Sequence, residues 1–163
     1  MTERVGFGGG CHWCTEAVFQ TLRGVATVDQ GFIAAPPPDD GFSEAVIVAF
    51  DPDVVSLDVL ISAHLATHSS GSDHSMRGKY RSAVYVFDEG QGARAAEAIA
   101  RLAAETETAF VTRVLTFDAF RASDPRFREY YWTGPERPFC RTYIDPKLAT
   151  LRRRFAEHVI ATT

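Results

Sequence analysis

The sequence predicts an α/β fold (α+β), a two-layer sandwich in which helices pack on a mixed sheet. Short apolar segments of strand length alternate along the chain with segments whose apolar residues recur at helical spacing. The clearest strand, 43–50, is apolar on both faces, which is typical of the centre of a sheet. No internal repeat or linker interrupts the 163 residues, so we predict a single domain, 1–163.

The predicted elements follow one another from the N-terminus. Strands are expected at 4–7, 25–32, 43–50, 82–87 and 110–117. Helices are expected from Cys11 to Leu22, after Ser56 as far as 65, at 91–105 and at 147–159. Three prolines in 34–41 cannot donate to a sheet ladder, which predicts a loop. The segment 68–81 is polar and contains glycine, which predicts a second, longer loop. The segment 120–140 is rich in aromatic residues and interrupted by prolines, and we assign it no regular secondary structure.

The composition narrows the class of protein. The net charge of −4, with no compensating basic stripe, argues against nucleic acid as a partner. No run of about 18 apolar residues is present that could span a membrane. Three cysteines is an odd number, which does not suit a closed set of secreted disulfides. We therefore expect a cytoplasmic monomer that binds neither nucleic acid nor membranes and keeps its thiols for chemistry.

The stretch 8–16, GGGCHWCTE, predicts a strand, a glycine turn and a helix that begins at Cys11. Unpaired backbone N–H groups and the positive end of the helix dipole lie at that position, and both favour a thiolate. The alternative is that Cys11 and Cys14 are small buried apolar residues. The coincidence of two cysteines, three glycines and a helix start favours a reactive thiol.

A carboxylate at the start of a buried strand is unusual, and Glu44 stands at that position. Its side chain either reaches solvent past the sheet edge or faces a pocket where burial would help it keep a proton for acid catalysis. The local pattern leaves both orientations open.

Four segments in order resemble the A-type peptide methionine sulfoxide reductases. They are GGCHWCTEAVF, SEAVIVAFDP, the Lys-Tyr-Arg-Ser-Ala-Val run at 79–84, and RPFCRTYIDPKLATLRRRF. The resemblance as a whole covers most of the chain. The resemblance implies a ferredoxin-like core and reduction of methionine-S-sulfoxide, free or in proteins, or of a related small sulfoxide.

The resemblance also implies site residues. Cys11 would attack the sulfoxide sulfur, Glu44 would protonate its oxygen, and Tyr80 would hydrogen-bond that oxygen. Trp13 would pack against the substrate methyl group, beside His12. The product on Cys11 is a sulfenic acid, which a second thiol condenses to a disulfide.

Two thiols are candidates for that second role. Cys140 stands where the family has its resolving cysteine, and we favour it because the aromatic region around it is expected to be mobile. Cys14 could instead resolve Cys11 directly, as in a Cys-x-x-Cys pair. An external dithiol such as thioredoxin would restore the thiols, with no metal or organic cofactor.

Two departures from the family pattern concern the substrate pocket. His12 replaces a phenylalanine, so either the pocket is partly polar or His12 is simply exposed on the helix. A second tyrosine that would bind the sulfoxide oxygen is missing, because the proline loop replaces the segment that carries it. Loss of one hydrogen bond to a charged group would cost about 1.5–3 kcal/mol unless another donor substitutes.

Three other functions compete. Cys11 and Cys14 after a strand could form a thioredoxin-like disulfide oxidoreductase. A metal-binding module could be built from Cys11, His12 and Cys14 with His64, His68 or His74, although this spacing matches no usual zinc pattern. A non-catalytic relative that only binds sulfoxides is the third.

Overall fold

The computed structural model describes residues 2–68 and 81–160. The strands are β1 (Glu3–Gly8), β2 (Val25–Ala34), β3 (Ser43–Phe50), β4 (Ala83–Val86), β5 (Arg113–Thr116) and β6 (Ala119–Ala122). The helices are α1 (His12–Gln20), α2 (Leu57–Thr67), α3 (Glu89–Thr106), α4 (Tyr130–Thr133) and α5 (Asp145–Arg154). Short 3-10 turns occupy Pro125–Phe127 and Ala156–His158, and a π-helical turn occupies Cys140–Ile144.

The strands form one mixed sheet in the order β5-β4-β1-β3-β2-β6. β3 lies between β1 and β2 and is antiparallel to both, and β4 is antiparallel to β1. β5 runs parallel to β4, while β6 extends the other edge antiparallel to β2. The first six elements therefore form a βαββαβ unit with the order β4-β1-β3-β2, which is the ferredoxin-like core. The fold class predicted from the sequence is confirmed.

The sheet separates two apolar clusters because successive residues of a strand point to opposite faces. The larger cluster joins the helices to one face and includes Val46 and Val48 of β3. The smaller cluster lies on the opposite face and includes Ala45 and Ile47. By this alternation Glu44 belongs to the face that carries the helices. The buried start of β3 therefore faces the layer that contains α1.

Several predicted element boundaries are wrong. Backbone hydrogen bonds to a distant part of the chain explain the one at the end of the final helix. The final helix ends at Arg154 instead of continuing to 159. Beyond it, the backbone N–H of Arg23 donates to His158 O at 2.6 Å, and that of Ile160 donates to Thr21 O at 2.8 Å. These bonds draw the C-terminal residues into an extended bridge, Leu22 with Val159, which no helix could make.

Other boundaries differ as well. The strand predicted at 110–117 is only the four residues of β5, and β2 continues two residues further than expected. The region 120–140, left without assignment, begins inside β6, whose four residues are too short to show a period. Within residues 2–68 and 81–160 no helix combines the length and apolar character needed to cross a bilayer.

Candidate active site

The turn between β1 and α1 presents Cys11 at the start of a helix, as the sequence predicts. Gly9 has φ +149°, and a Cβ there would lie 2.5 Å from the ring of His68, so the position requires glycine. Cys11 is the N-cap of α1, with extended backbone angles, and its carbonyl accepts from the N–H groups of Cys14 and Thr15 at 3.0 and 3.2 Å. The thiol is half-buried.

The side chains of Cys11 and Cys14 form a hydrogen-bonded pair of free thiols. The pKa of Cys11 is raised, first by the hydrogen bond to Cys14 and then by burial, against the backbone N–H of Trp13, which lowers it. The pKa of Cys14 is lowered by the hydrogen bond from Cys11 and by the ammonium of Lys147, against burial. The raised pKa differs from the expectation that the helix start favours a thiolate at Cys11, because Cys11 donates the hydrogen bond between the two sulfurs and so keeps its proton.

Lys147 contributes this positive charge from the first turn of α5. Its Nζ donates to the carbonyl of Thr67, and Lys147 and Cys14 line the same small cavity. Burial lowers the pKa of Lys147, and the two thiols oppose that effect. Sequence reasoning assigned Lys147 no role. A feature of the sequence that could have indicated a role is its position: Lys147 directly follows Pro146 at a helix start, where a cation is electrostatically disfavoured.

Glu44 faces the start of α1 rather than solvent. Its residue is 6% exposed, and Oε1 accepts the backbone N–H of His12 at 3.2 Å. His12 directly follows Cys11, the N-cap of the helix, so this bond holds the carboxyl group at the helix start. Of the two orientations that the sequence left open, the structure has the one in which the carboxyl lies at the start of α1.

His12 is also buried, with 8% exposure, so it does not lie on an exposed helix face. Its Nδ1 lies 2.9 Å from the carbonyl oxygen of Gly31, and its Nε2 lies 3.4 Å from Glu44 Oε1. The ring meets that of Phe32 edge-on, with a centroid separation of 5.2 Å. An imidazole therefore occupies part of the wall next to Glu44.

Aromatic side chains surround Trp13 on the other side of Cys11. Trp13 stacks on Tyr130 with centroids 4.1 Å apart and planes 8° from parallel. Phe139 meets the indole edge-on at 5.4 Å, and Phe127 lies 6.1 Å away. We call these four residues the aromatic wall. It is an apolar surface next to the start of α1 that suits a small apolar group.

Glu16 holds the backbone of the aromatic wall in place. Its Oε2 accepts from the N–H of Glu129 at 2.9 Å, and its Oε1 accepts from Gln30 Nε2 at 3.0 Å and, more weakly, from the N–H of Tyr130 at 3.4 Å. Burial raises the pKa of Glu16, and these donors oppose that effect. No role was predicted for Glu16 from the sequence. Its position next to Ala17 on the buried side of α1 could have indicated that this carboxylate has buried hydrogen-bond partners.

The remaining predicted site residues are placed as follows. Cys140 is fully buried at the start of the π-helical turn before α5 and belongs to the same apolar cluster as Cys14. Tyr80 and His74 lie outside the described residues. In the part of the chain that the structure describes, no three His, Cys, Asp or Glu side chains converge as metal ligands.

Fold and site together define a class: a ferredoxin-like α/β protein with a thiol pair at a helix start, beside a buried carboxyl group and an aromatic wall. The family model described as peptide methionine sulfoxide reductase matches residues 3–159. The chain belongs to the peptide methionine sulfoxide reductase family.

Individual relatives agree with this assignment. The peptide methionine sulfoxide reductase MsrA of Erwinia tasmaniensis is 33% identical, over 96% of this chain and 97% of that protein. The MsrA of Deinococcus radiodurans is 35% identical, over 95% of this chain and 83% of that protein.

Solved structures share the fold. Reduced Mxr1 from Saccharomyces cerevisiae superposes with a TM-score of 0.71 at 17% identity, covering 87% of this chain and 91% of that one. Mxr1 in complex with Trx2 superposes with a TM-score of 0.60 at 15% identity, covering 79% of this chain and 84% of that one.

Proposed function

We propose that this chain reduces methionine-S-sulfoxide, free or peptide-bound, or a related small sulfoxide, and that Cys11 is its nucleophile. The observation that carries the proposal is the hydrogen bond from the His12 backbone N–H to Glu44, which holds a buried carboxyl group at the helix start where Cys11 is the N-cap. Membership of the family supports the same reaction.

The chemistry requires an anionic sulfur and a proton donor. The Cys14 sulfur takes the shared proton as the Cys11 thiolate attacks the sulfoxide sulfur, and Glu44 protonates the sulfoxide oxygen. That oxygen ends on Cys11 as a sulfenic acid, and the thioether leaves. The sulfoxide sulfur is reduced by two electrons and the Cys11 sulfur is oxidised by two. One thiol and one sulfoxide thus give one sulfenic acid and one thioether.

Substrate binding is assigned to the groups around Cys11. The aromatic wall, with Trp13 nearest to the helix start, receives the methyl group, and His12 lines the side next to Glu44. By family resemblance Tyr80 donates a hydrogen bond to the sulfoxide oxygen and stabilises the charge that develops there.

Cys14 is the resolving thiol favoured by the geometry, since it already contacts Cys11. Cys140, which the sequence favoured for this step, is buried in a π-helical turn that continues into α5. Condensation of the Cys11 sulfenic acid with the Cys14 thiol forms a disulfide and releases water. Thioredoxin or a similar dithiol then reduces that disulfide, in line with the complex of Mxr1 with Trx2.

Steady-state turnover tests the reaction. We expect reduction of L-methionine-S-sulfoxide and of blocked methionine sulfoxide with a dithiol donor, and loss of turnover in Cys11→Ser. Insulin disulfide reduction is the parallel assay for a thioredoxin-like enzyme. Turnover of insulin but of no sulfoxide would overturn the proposal, and so would tight sulfoxide binding without turnover.

Single thiol variants test the resolving step. In Cys14→Ser we expect one equivalent of methionine per Cys11 and a sulfenic acid that dimedone traps, whereas Cys140→Ser should form the disulfide normally. The reverse pattern would assign resolution to Cys140 and leave the sulfoxide reaction itself intact. Peptide mapping of the oxidised protein identifies the disulfide in either case.

A further inference from the structure

Three residues of neighbouring strands form one row across the sheet. Glu44 of β3 is paired in register with Phe32 of β2, and Phe32 is paired with Arg121 of β6. Residues directly opposite each other on paired strands point to the same face of a sheet. Phe120 packs with the smaller cluster on the other face, so its neighbour Arg121 lies on the face of Glu44. The row therefore begins at the carboxyl group beside the helix start and ends at a guanidinium on the outer strand.

Two aromatic rings hold the guanidinium of Arg121. Its Cζ lies 5.0 Å from the ring centroid of Phe32 and 4.8 Å from that of Phe42. The residue is exposed, and none of the ion pairs formed within residues 2–68 and 81–160 uses it. A guanidinium packed on ring faces keeps N–H groups at its edge that can still donate. Arg121 is therefore preorganised to bind a carboxylate through two parallel hydrogen bonds.

The ring of Phe32 connects Arg121 to the candidate active site. His12 meets this ring edge-on with a centroid separation of 5.2 Å, and the backbone of His12 is bonded to Glu44. Strands of a sheet lie about 4.8 Å apart, so two strand spacings, about 10 Å, separate the backbones of Glu44 and Arg121. The arginine side chain lies over the Phe32 ring, within this span. A short substrate can therefore reach both ends of the row.

We propose that Arg121 is a specificity-determining residue, which binds a carboxylate that the substrate carries close to its sulfoxide. The inference rests on the proposed function and names the kind of sulfoxide that the site prefers. Two sources supply this chemistry: the α-carboxylate of methionine sulfoxide itself, and an acidic side chain next to an oxidised methionine in a peptide. In both, the sulfoxide oxygen lies at Glu44 and the negative charge lies at Arg121.

The distribution of charge favours this orientation of the substrate. A substrate carboxylate next to Glu44 would face a second carboxyl group, whereas at the other end of the row it meets a cation. The chain as a whole has a net charge of −4, so its overall field does not attract an anionic substrate. A preference for such a substrate therefore requires a local cation, and Arg121 supplies it.

The test uses two pairs of substrates that differ only in one carboxylate. N-acetylmethionine-S-sulfoxide is compared with its amide, and a blocked dipeptide with glutamate before the oxidised methionine is compared with its glutamine counterpart. For at least one pair, the wild type should have a kcat/KM about five-fold higher for the carboxylate member, as one partly exposed ion pair supplies. The difference should lie mainly in KM, because the ion pair exists before and during the reaction.

Arg121→Gln should abolish this preference and leave kcat/KM for the neutral substrates within about two-fold of the wild type. Arg154→Gln is the matched control, because it also removes an arginine stacked on a ring, that of Phe155 on the far end of α5. The control should keep the preference. The pair of substrates that Arg121→Gln affects identifies the source of the carboxylate.

Three results would overturn the inference and leave the proposed function intact. They are a wild type that turns over both members of each pair equally, a preference that survives in Arg121→Gln, and an equal loss of preference in Arg154→Gln. In each of them the sulfoxides are still reduced.

A binding measurement decides on the carboxylate independently of turnover. In ¹⁵N-labelled Cys11→Ser, a carboxylate substrate should shift the side-chain Nε–H resonance of Arg121, identified by its loss in Arg121→Gln, and the neutral counterpart should not. Absence of a shift with both carboxylate substrates would overturn the inference even if the enzyme is active. Absence of sulfoxide turnover in the wild type would instead refute the proposed function, and the resonance shift would still decide on carboxylate binding.

Discussion

Around Cys14, a single ammonium group influences how the thiol pair ionises. Lys147 is held by the carbonyl of Thr67 and acts to lower the pKa of Cys14. Because Cys14 and Cys11 share a proton, a cation near Cys14 also sets how readily that proton leaves Cys11. The ionisation of the thiol pair is therefore partly determined by a side chain of α5, which begins more than a hundred residues later in the chain.

Lys147→Met removes this charge but keeps an apolar side chain of similar length. The pKa of Cys14 should rise, so the pH dependence of alkylation of the reduced pair by iodoacetamide moves to higher pH. A rise of one unit corresponds to an approximately ten-fold slower reaction at pH 7. Alkylation followed by mass spectrometry from pH 5 to pH 10 measures the shift. Arg152→Met, an exposed change on α5, is the control and should alkylate as the wild type does.

Individual residues differ in how well their surroundings could be predicted from the sequence. The glycines before Cys11 and the helix after it are local features, so the position of Cys11 at a helix start could be predicted from the sequence. The partners of His12 could not, because an exposed and a buried histidine look alike at the first position of a helix. Its burial is decided by Gly31 and Glu44, which come from two other elements.

At the scale of elements, α1 and α4 are joined through one buried carboxylate. Glu16 accepts hydrogen bonds from the N–H groups at the start of α4, so α4 keeps Tyr130 against the indole of Trp13. Helix α4 has only four residues, which is too short for independent stability. Its position depends on this bond and on the stacking of the rings.

Glu16→Ala should lower the free energy of unfolding by about 2–3 kcal/mol, because buried N–H donors lose their acceptor. The aromatic wall should also loosen, which raises KM for the sulfoxide more than it lowers kcat. Urea denaturation followed by tryptophan fluorescence measures the first effect. Gln20→Ala is the control: it removes an exposed hydrogen bond between α1 and Trp132 and should cost about 1 kcal/mol or less. Equal losses in the two variants would contradict this role of Glu16.

At the scale of the whole molecule, a buried guanidinium fastens the proline loop to the sheet. Arg81 donates to the hydroxyl of Tyr85 and to the carbonyls of Ile33 and Gly41, each at 3.1 Å. It thereby connects β4, the end of β2 and the loop before β3. This contact is adjacent to the smaller apolar cluster, which the helices do not cover.

Arg81→Ala should destabilise the protein by about 2–4 kcal/mol, because the change leaves buried acceptors without a donor and removes packed side-chain atoms. Arg113→Ala is the comparison. It breaks the 2.7 Å ion pair between Arg113 of β5 and Asp39 of the proline loop, in which the arginine side chain is exposed. This change should lower the free energy of unfolding by less than about 1 kcal/mol. Thermal and urea unfolding of both variants compare the two contacts. A larger loss for Arg113→Ala would show that the loop depends on its surface ion pair.

The class of fold, the central strand β3 and the glycine turn before Cys11 could be predicted from the sequence alone. These features depend on apolar periodicity and on residues close to one another in the chain. The orientation of Glu44, the burial of His12 and the contact of Cys14 with the cavity of Lys147 depend instead on how separate elements pack. Such contacts join distant positions, 32 residues apart for His12 with Glu44 and 113 for Glu16 with Glu129. Packing of separate elements brings these groups together, and local propensity contains no information about that.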